Sequence, residues 1–287
     1  MPLTTGADTF TGTAGNDVIN GYIDATASAP QTLTAADAIA GGAGSDTLNV
    51  TVSGTAAALP AANITGIETI NVRAAAALNS SDLSTIAGVT AFNSDRSTAA
   101  VTVTNLAAGA SAGVIGDGTV TNGAFNAGYV STATSSTLNI SGGTKAGAVT
   151  LSGTGLTSAT VNSTGAANTI GALALAATQT SLTIDAAAKL TTGAVTNTGG
   201  GALTTLTVKG AGAVNLSTTA LETSVAKIDA SANSGGLTVK LSDKTTISVT
   251  GSSGADVITT NAVLTTGSVN AGDGIDTLDL GTNVAHA

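Results

Sequence analysis

The sequence predicts an all-β chain, a right-handed parallel β-solenoid or β-roll with glycine–aspartate turns. Three observations carry this: large side chains are scarce, short alternating segments recur at coil-like intervals, and aspartates stand in fixed register with glycine. With 3 Phe, 2 Tyr and no Trp in 287 residues, little is available to fill a thick interior. A β-sandwich needs bulky residues across the gap of about 10 Å between its sheets, so the small Ala, Val, Leu and Ile side chains favour a thin, flattened solenoid. Tyr22, Phe92, Phe125 and Tyr129 are expected to pack in the core or in loops.

Candidate strands follow one another at 48–52, 69–72, 101–105, 138–141, 149–152, 160–163, 182–185, 206–209, 214–217, 227–230, 237–241 and 247–250. Each alternates apolar and polar residues, and Gly, Asn, Ser or Thr separates one from the next. Helix should be sparse, with short candidates at 34–39, 60–64 and 80–87. Pro30 and Pro60 mark connections, and 22–34 reads as a loop enlarging one coil. Three zones result: turn-rich ends at 1–48 and 251–287, and a Thr/Ala/Ser/Gly body at 49–250.

Charge narrows the partners. Eight basic residues against seventeen acidic ones give a net charge of −9, and the eight are scattered singly, so nucleic acid is excluded as a partner. Fifteen of the acids are Asp, a short carboxylate suited to hard, oxygen-seeking cations. The absence of Cys removes disulfides, thiolate metal sites and cysteine nucleophiles. No apolar run approaches the roughly 18 residues of a membrane span, so membrane insertion is not expected. The first residues, Met1-Pro2-Leu3-Thr4, do not read as a secretory signal.

Six aspartates align: Asp8, Asp17, Asp37, Asp46, Asp256 and Asp276 each have a large apolar residue two positions later. Five also have glycine two positions earlier, at Gly6, Gly15, Gly44, Gly254 and Gly274, whereas Asp37 has Ala35. Asp8 to Asp17 and Asp37 to Asp46 are nine-residue steps, which read as half-coils. Glycines can turn the chain tightly and aim carbonyl oxygens inward, and aspartate adds a charged oxygen. With Gly42, Gly272 and Asp273 these residues form the candidate metal-ligating set. Asp24, Asp82, Asp95, Asp117, Asp185, Asp229 and Asp243 lie outside the register and read as surface or turn residues.

The run Gly41-Gly42-Ala43-Gly44-Ser45-Asp46-Thr47-Leu48-Asn49 resembles, position for position, the nonapeptide of RTX, or haemolysin-type, calcium-binding proteins. Gly12-Thr13-Ala14-Gly15-Asn16-Asp17 and Gly251-Ser252-Ser253-Gly254-Ala255-Asp256 replace the second glycine, and Ala271-Gly272-Asp273-Gly274-Ile275-Asp276 replaces the first. The order of motifs, a turn block followed by Gly66-Ile67-Glu68-Thr69-Ile70-Asn71-Val72 and a Thr/Ala field, is similar to RTX-type bacterial surface-layer proteins. That resemblance implies Ca2+ shared between adjacent coils, folding coupled to calcium, an extracellular or cell-surface location and export by type I secretion.

Catalysis has little to stand on, since the single His is His286 and no Ser/His/Asp set can be placed in one pocket. The expected function is non-enzymatic: a calcium-dependent, self-assembling structural subunit of a bacterial surface layer or extracellular filament, with itself as partner. The alternative is a segment of a secreted RTX-type adhesin or biofilm-matrix protein, with a surface or cell-surface polysaccharide as partner. An ice-binding face would need an evenly repeated Thr-X-Thr, which the linear sequence does not show.

Overall fold

Alternation of apolar and polar residues dictates strands with one face buried, and thin strands of small residues bury that face by stacking coil on coil. The computed structural model describes residues 1–24, 26 and 30–281. It is built of parallel sheets, with no helix among the described residues. The longest sheet has 12 strands in strict chain order, from Val18–Asp24 to Ser268–Asn270, one from each coil. A 3-stranded sheet, beginning with Thr9–Thr11, closes the first coils. A 6-stranded sheet spans Leu78–Asp82 to Val195–Asn197, and an 8-stranded sheet spans Thr121–Asn122 to Thr277–Asp279. The solenoid is therefore three-sided in its middle and ends on two sheets.

Register shows how the thin core is filled. Ile19, Leu48, Ile70, Phe92, Ala112, Leu138 and Val161 align from strand to strand of the long sheet, all essentially inaccessible. Phe92 meets Phe125 of the 6-stranded sheet with ring centroids 6.4 Å apart and planes 6° from parallel, so the two largest fully buried side chains meet where the sheets face each other. Tyr129 is also in the core, as the sequence suggests, its hydroxyl donating to the Thr137 carbonyl at 3.1 Å. Burial pushes its pKa up to about 12.

On the outer face, Asn20, Asn49, Asn71 and Asn93 form a ladder in which each amide Nδ2 donates to the preceding Oδ1 at 3.0, 3.0 and 2.9 Å. The steps are 29, 22 and 22 residues. The long first step includes the segment 22–34 expected as a loop, but Tyr22–Asp24 belong to strand Val18–Asp24, paired in parallel with the next coil, and the Thr32 and Leu33 amides donate to the Tyr22 carbonyl. Residues 25 and 27–29 of that segment lie outside the described set.

All twelve predicted segments lie on or overlap strands. The three helix candidates do not form helices. Ala38–Ala40, Asn63–Thr65 and Leu78–Asp82 are strands, and the rest of those segments is turn or irregular chain. Parallel pairing to neighbouring coils supplies partners that a one-turn helix leaves open at both ends, so tertiary context overrides local preference.

Candidate metal centre

The aspartates stack by coil, not by chain neighbourhood. Asp8 lies against Asp37 and Asp17 against Asp46, each 29 residues on, while Asp256 lies against Asp276, 20 residues on. In each pair the later carboxylate accepts the backbone N–H of the earlier aspartate: Asp8 N to Asp37 Oδ1 is 2.9 Å, Asp17 N to Asp46 Oδ1 2.7 Å and Asp256 N to Asp276 Oδ1 2.9 Å. At Asp17, Asp37 and Asp256 the Oδ2 oxygen closes the residue's own turn, accepting from Thr13 N at 2.6 Å, Thr34 N at 2.7 Å and Ser252 N at 2.6 Å. Asp8 and Asp37 precede strands of the 3-stranded sheet, whereas Asp17 and Asp46 precede strands of the long one. Nine residues thus carry the chain from one edge of the solenoid to the other.

The glycines that open the turns line an oxygen cradle. A Cβ on Gly12 would lie 1.7 Å from the Gly41 carbonyl oxygen and 2.9 Å from Asp17 Oδ2. On Gly41 it would lie 1.8 Å from the Gly66 carbonyl oxygen and 2.6 Å from Asp46 Oδ2. On Gly251 it would lie 1.9 Å from the Ala271 carbonyl oxygen and 2.4 Å from Asp256 Oδ2. Three times, then, a carbonyl of the following coil and the turn's own carboxylate converge on a position that only glycine leaves open. Gly42, Gly44, Gly272 and Gly274 adopt φ of 105°, 114°, 92° and 124°, the left-handed region that side chains rarely enter.

Other predicted residues have weaker reasons to be what they are. Gly6 and Gly15 have φ outside that region and no close neighbour that a Cβ would strike. Gly254 is held by crowding, since a Cβ there would lie 2.7 Å from both Gly236 N and the Ser234 carbonyl oxygen. Asp273 is exposed on the last turn and takes part in no hydrogen bond among the described residues. One acid missed by the sequence reading joins the set: Glu68 Oε2 accepts the Asp46 N–H at 2.7 Å and so occupies the place of an aspartate one coil beyond the complete repeat. Its signal was Gly66 two positions earlier and Ile70 two positions later, the same frame with a longer carboxylate.

A model of the RTX calcium-binding nonapeptide repeat matches residues 4–25 and 33–49, in four copies. The chain carries RTX calcium-binding repeats. No curated protein matches the chain. The four RTX copies cover the Asp8, Asp17, Asp37 and Asp46 turns, and the C-terminal pair shares their stacking without lying in the matched segments.

The RTX turns fit Ca2+ on a feature of their own. Asp46 is fully buried, and its Oδ2 has no hydrogen-bond partner, an uncompensated charged oxygen at the heart of the one complete repeat. Among the described residues no three His, Cys, Asp or Glu side chains converge. Six to eight oxygens are needed, so backbone carbonyls such as those of Gly41 and Gly66 must supply most of them. When bound, Ca2+ supplies the positive charge these inward-facing oxygens lack. On one edge Asp17 with Asp46, and then Asp46 with Glu68, would hold such ions pairwise between adjacent coils together with the intervening carbonyls; Asp8 with Asp37 would do so on the other edge, and Asp256 with Asp276 at the far end.

Proposed function

We propose that this chain is a calcium-dependent, self-assembling structural subunit of a bacterial surface layer or extracellular filament. RTX repeats are typical of secreted calcium-binding proteins, where β-rolls of this kind serve structural or toxin-associated roles. The observation that carries the reading is the coil-on-coil stacking of carboxylate turns, which among the described residues runs out to an open sheet edge. Ser268–Asn270 and Thr277–Asp279 are the final strands of their sheets, and among the described residues neither has a partner on its outer edge. Ile275 is 90% exposed and Leu278 52% exposed beside the Asp276 turn, so among the described residues an apolar strand edge sits next to that carboxylate. Such an edge favours pairing with another chain. At the opposite end the long sheet is shielded, because Leu3 N donates to the Asn20 carbonyl and Asn20 N to the Met1 carbonyl. The 3-stranded sheet there ends on Thr9–Thr11 with the Asp8 turn beside it, which offers a stacking surface of the same design.

Sedimentation velocity and negative-stain imaging at millimolar calcium test the proposal. Sheets or fibres that disperse on chelation are expected. Monomers in both conditions would overturn it, and monomers that still adhere to a polysaccharide surface would favour the adhesin reading instead.

A further inference from the structure

The chain has two arginines, Arg73 and Arg96, and the fold brings both to one cleft on the outer face of the long sheet. The cleft measures about 280 Å3 and is lined by Asn49, Thr51, Asn71, Arg73, Asp95 and Arg96. Val72 and Ala74 turn into the core, so Arg73 points outward, and it forms no salt bridge among the described residues.

Arg96 is built differently. Its Nε donates to Asp95 Oδ1 at 2.8 Å and its Nη2 to Asp95 Oδ2 at 2.7 Å, which leaves three of its five N–H groups unused by that pair. Its backbone has φ 49°, the left-handed region. Among the described non-glycine residues only Asn105 shares this, and asparagine tolerates it far better. The neighbouring chain over-determines the bend. Ser97 is fully buried and its Oγ donates to the Val72 carbonyl at 2.9 Å, while Arg96 N donates to the Ile115 carbonyl at 2.8 Å. A glycine would fit the bend without strain, yet the position holds the side chain that forks over the cleft.

We infer that this cleft binds an acidic carbohydrate, a sugar bearing a carboxylate of the uronate kind. Arg73 and the free N–H groups of Arg96 match the carboxylate. The ladder amides of Asn49 and Asn71 each spend one N–H and one lone pair on the ladder and keep others for ring hydroxyls, as do Thr51 and the Asp95 carboxylate. The site stands apart from the calcium turns, so it does not depend on the assembly reading.

Titration of the calcium-loaded chain with glucuronate and with glucose, at fixed calcium and ionic strength and read by calorimetry or saturation-transfer NMR, tests the assignment. Glucuronate is expected to bind at least tenfold more tightly than glucose. Arg73→Ala should erase that preference and Arg73→Lys keep part of it. Arg96→Gly should raise the melting temperature by relieving the bend while weakening glucuronate binding about tenfold, a pairing that a merely structural arginine would not give. Equal binding of the two sugars, no binding of either, unchanged binding by Arg73→Ala, or sulfate binding as tightly as glucuronate would each overturn it.

Discussion

Asp46 separates charge from hydrogen bonding within one side chain, since Oδ1 accepts the Asp17 N–H and Oδ2 has no partner. Asp46→Asn keeps an acceptor for the first and removes the charge from the second. The calcium midpoint of folding, followed by circular dichroism, should rise at least tenfold, equivalent to about 1.4 kcal/mol per tenfold. An unchanged midpoint would mean that Oδ2 is not a ligand. Gly41→Ala tests the same turn sterically, because its Cβ would meet the Gly66 carbonyl whether or not calcium is present. A loss of about 1–3 kcal/mol in denaturant unfolding is expected in millimolar calcium, and a smaller one in chelator, where the end coils open first. Asp117 gives a pH test away from the turns. The Val120 N–H, then the Thr119 hydroxyl and N–H, stabilise its carboxylate and hold its pKa at about 2. A depressed carboxylate pKa contributes stability that is complete above the ordinary value near 4 and is lost as the pH falls towards 2. An NMR titration midpoint for Asp117 near 2 is expected, and one near 4 would show that the turn is not formed in solution.

At the scale of the element, the middle coils solve without a cation the problem that the end turns pose. Asn233, 1% exposed, donates through Nδ2 to the Gly210 and Gly212 carbonyls at 2.8 and 3.0 Å and accepts from Gly235 N and Gly236 N at 3.1 and 3.0 Å. Asn168 spans Ser163, Thr164 and Thr144 in the same manner, and Asn197 ties the Ala176 and Gln179 carbonyls to Leu203 N. An amide offers donors and an acceptor at once, so it neutralises inward carbonyls as a cation would. Asn233→Ala should therefore cost about 2–4 kcal/mol, from several buried groups left unpaired, and chemical denaturation should give the same loss in calcium and in chelator. These plugs were not legible in the sequence, where a buried Asn looks like any loop Asn until the coil register is known. Strands with two or three alternating apolar residues were legible. Leu173–Leu175 and Val195–Asn197 were not, because Ala174 between two leucines hides the alternation in the first and the second carries a single apolar residue. The hydroxyls at Thr137, Thr160, Thr183 and Thr207 likewise form one aligned column that unequal coil lengths hide in the linear sequence.

For the whole molecule, a solenoid is nearly one-dimensional, so its stability is a sum over coils and their interfaces and need not be lost all at once. RTX turns occupy its N-terminal end and the similarly stacked Asp256–Asp276 pair the other, while amide plugs and core columns such as Leu138 and Val161 hold the middle. Removing calcium should leave carboxylates and carbonyls facing one another only at the ends, and opening should begin there. Hydrogen exchange read by mass spectrometry in millimolar calcium and then in chelator is the measurement. Peptides from 1–48 and 251–281 are expected to lose protection on chelation, while those covering Ser135–Ser141 and Ser181–Ala186 keep theirs. Loss of protection throughout would mean that the end coils nucleate the body and that calcium governs the entire fold. Full protection everywhere in chelator would mean that the stacked aspartates hold their turns through the N–H bonds alone, with the ion serving only contacts between chains.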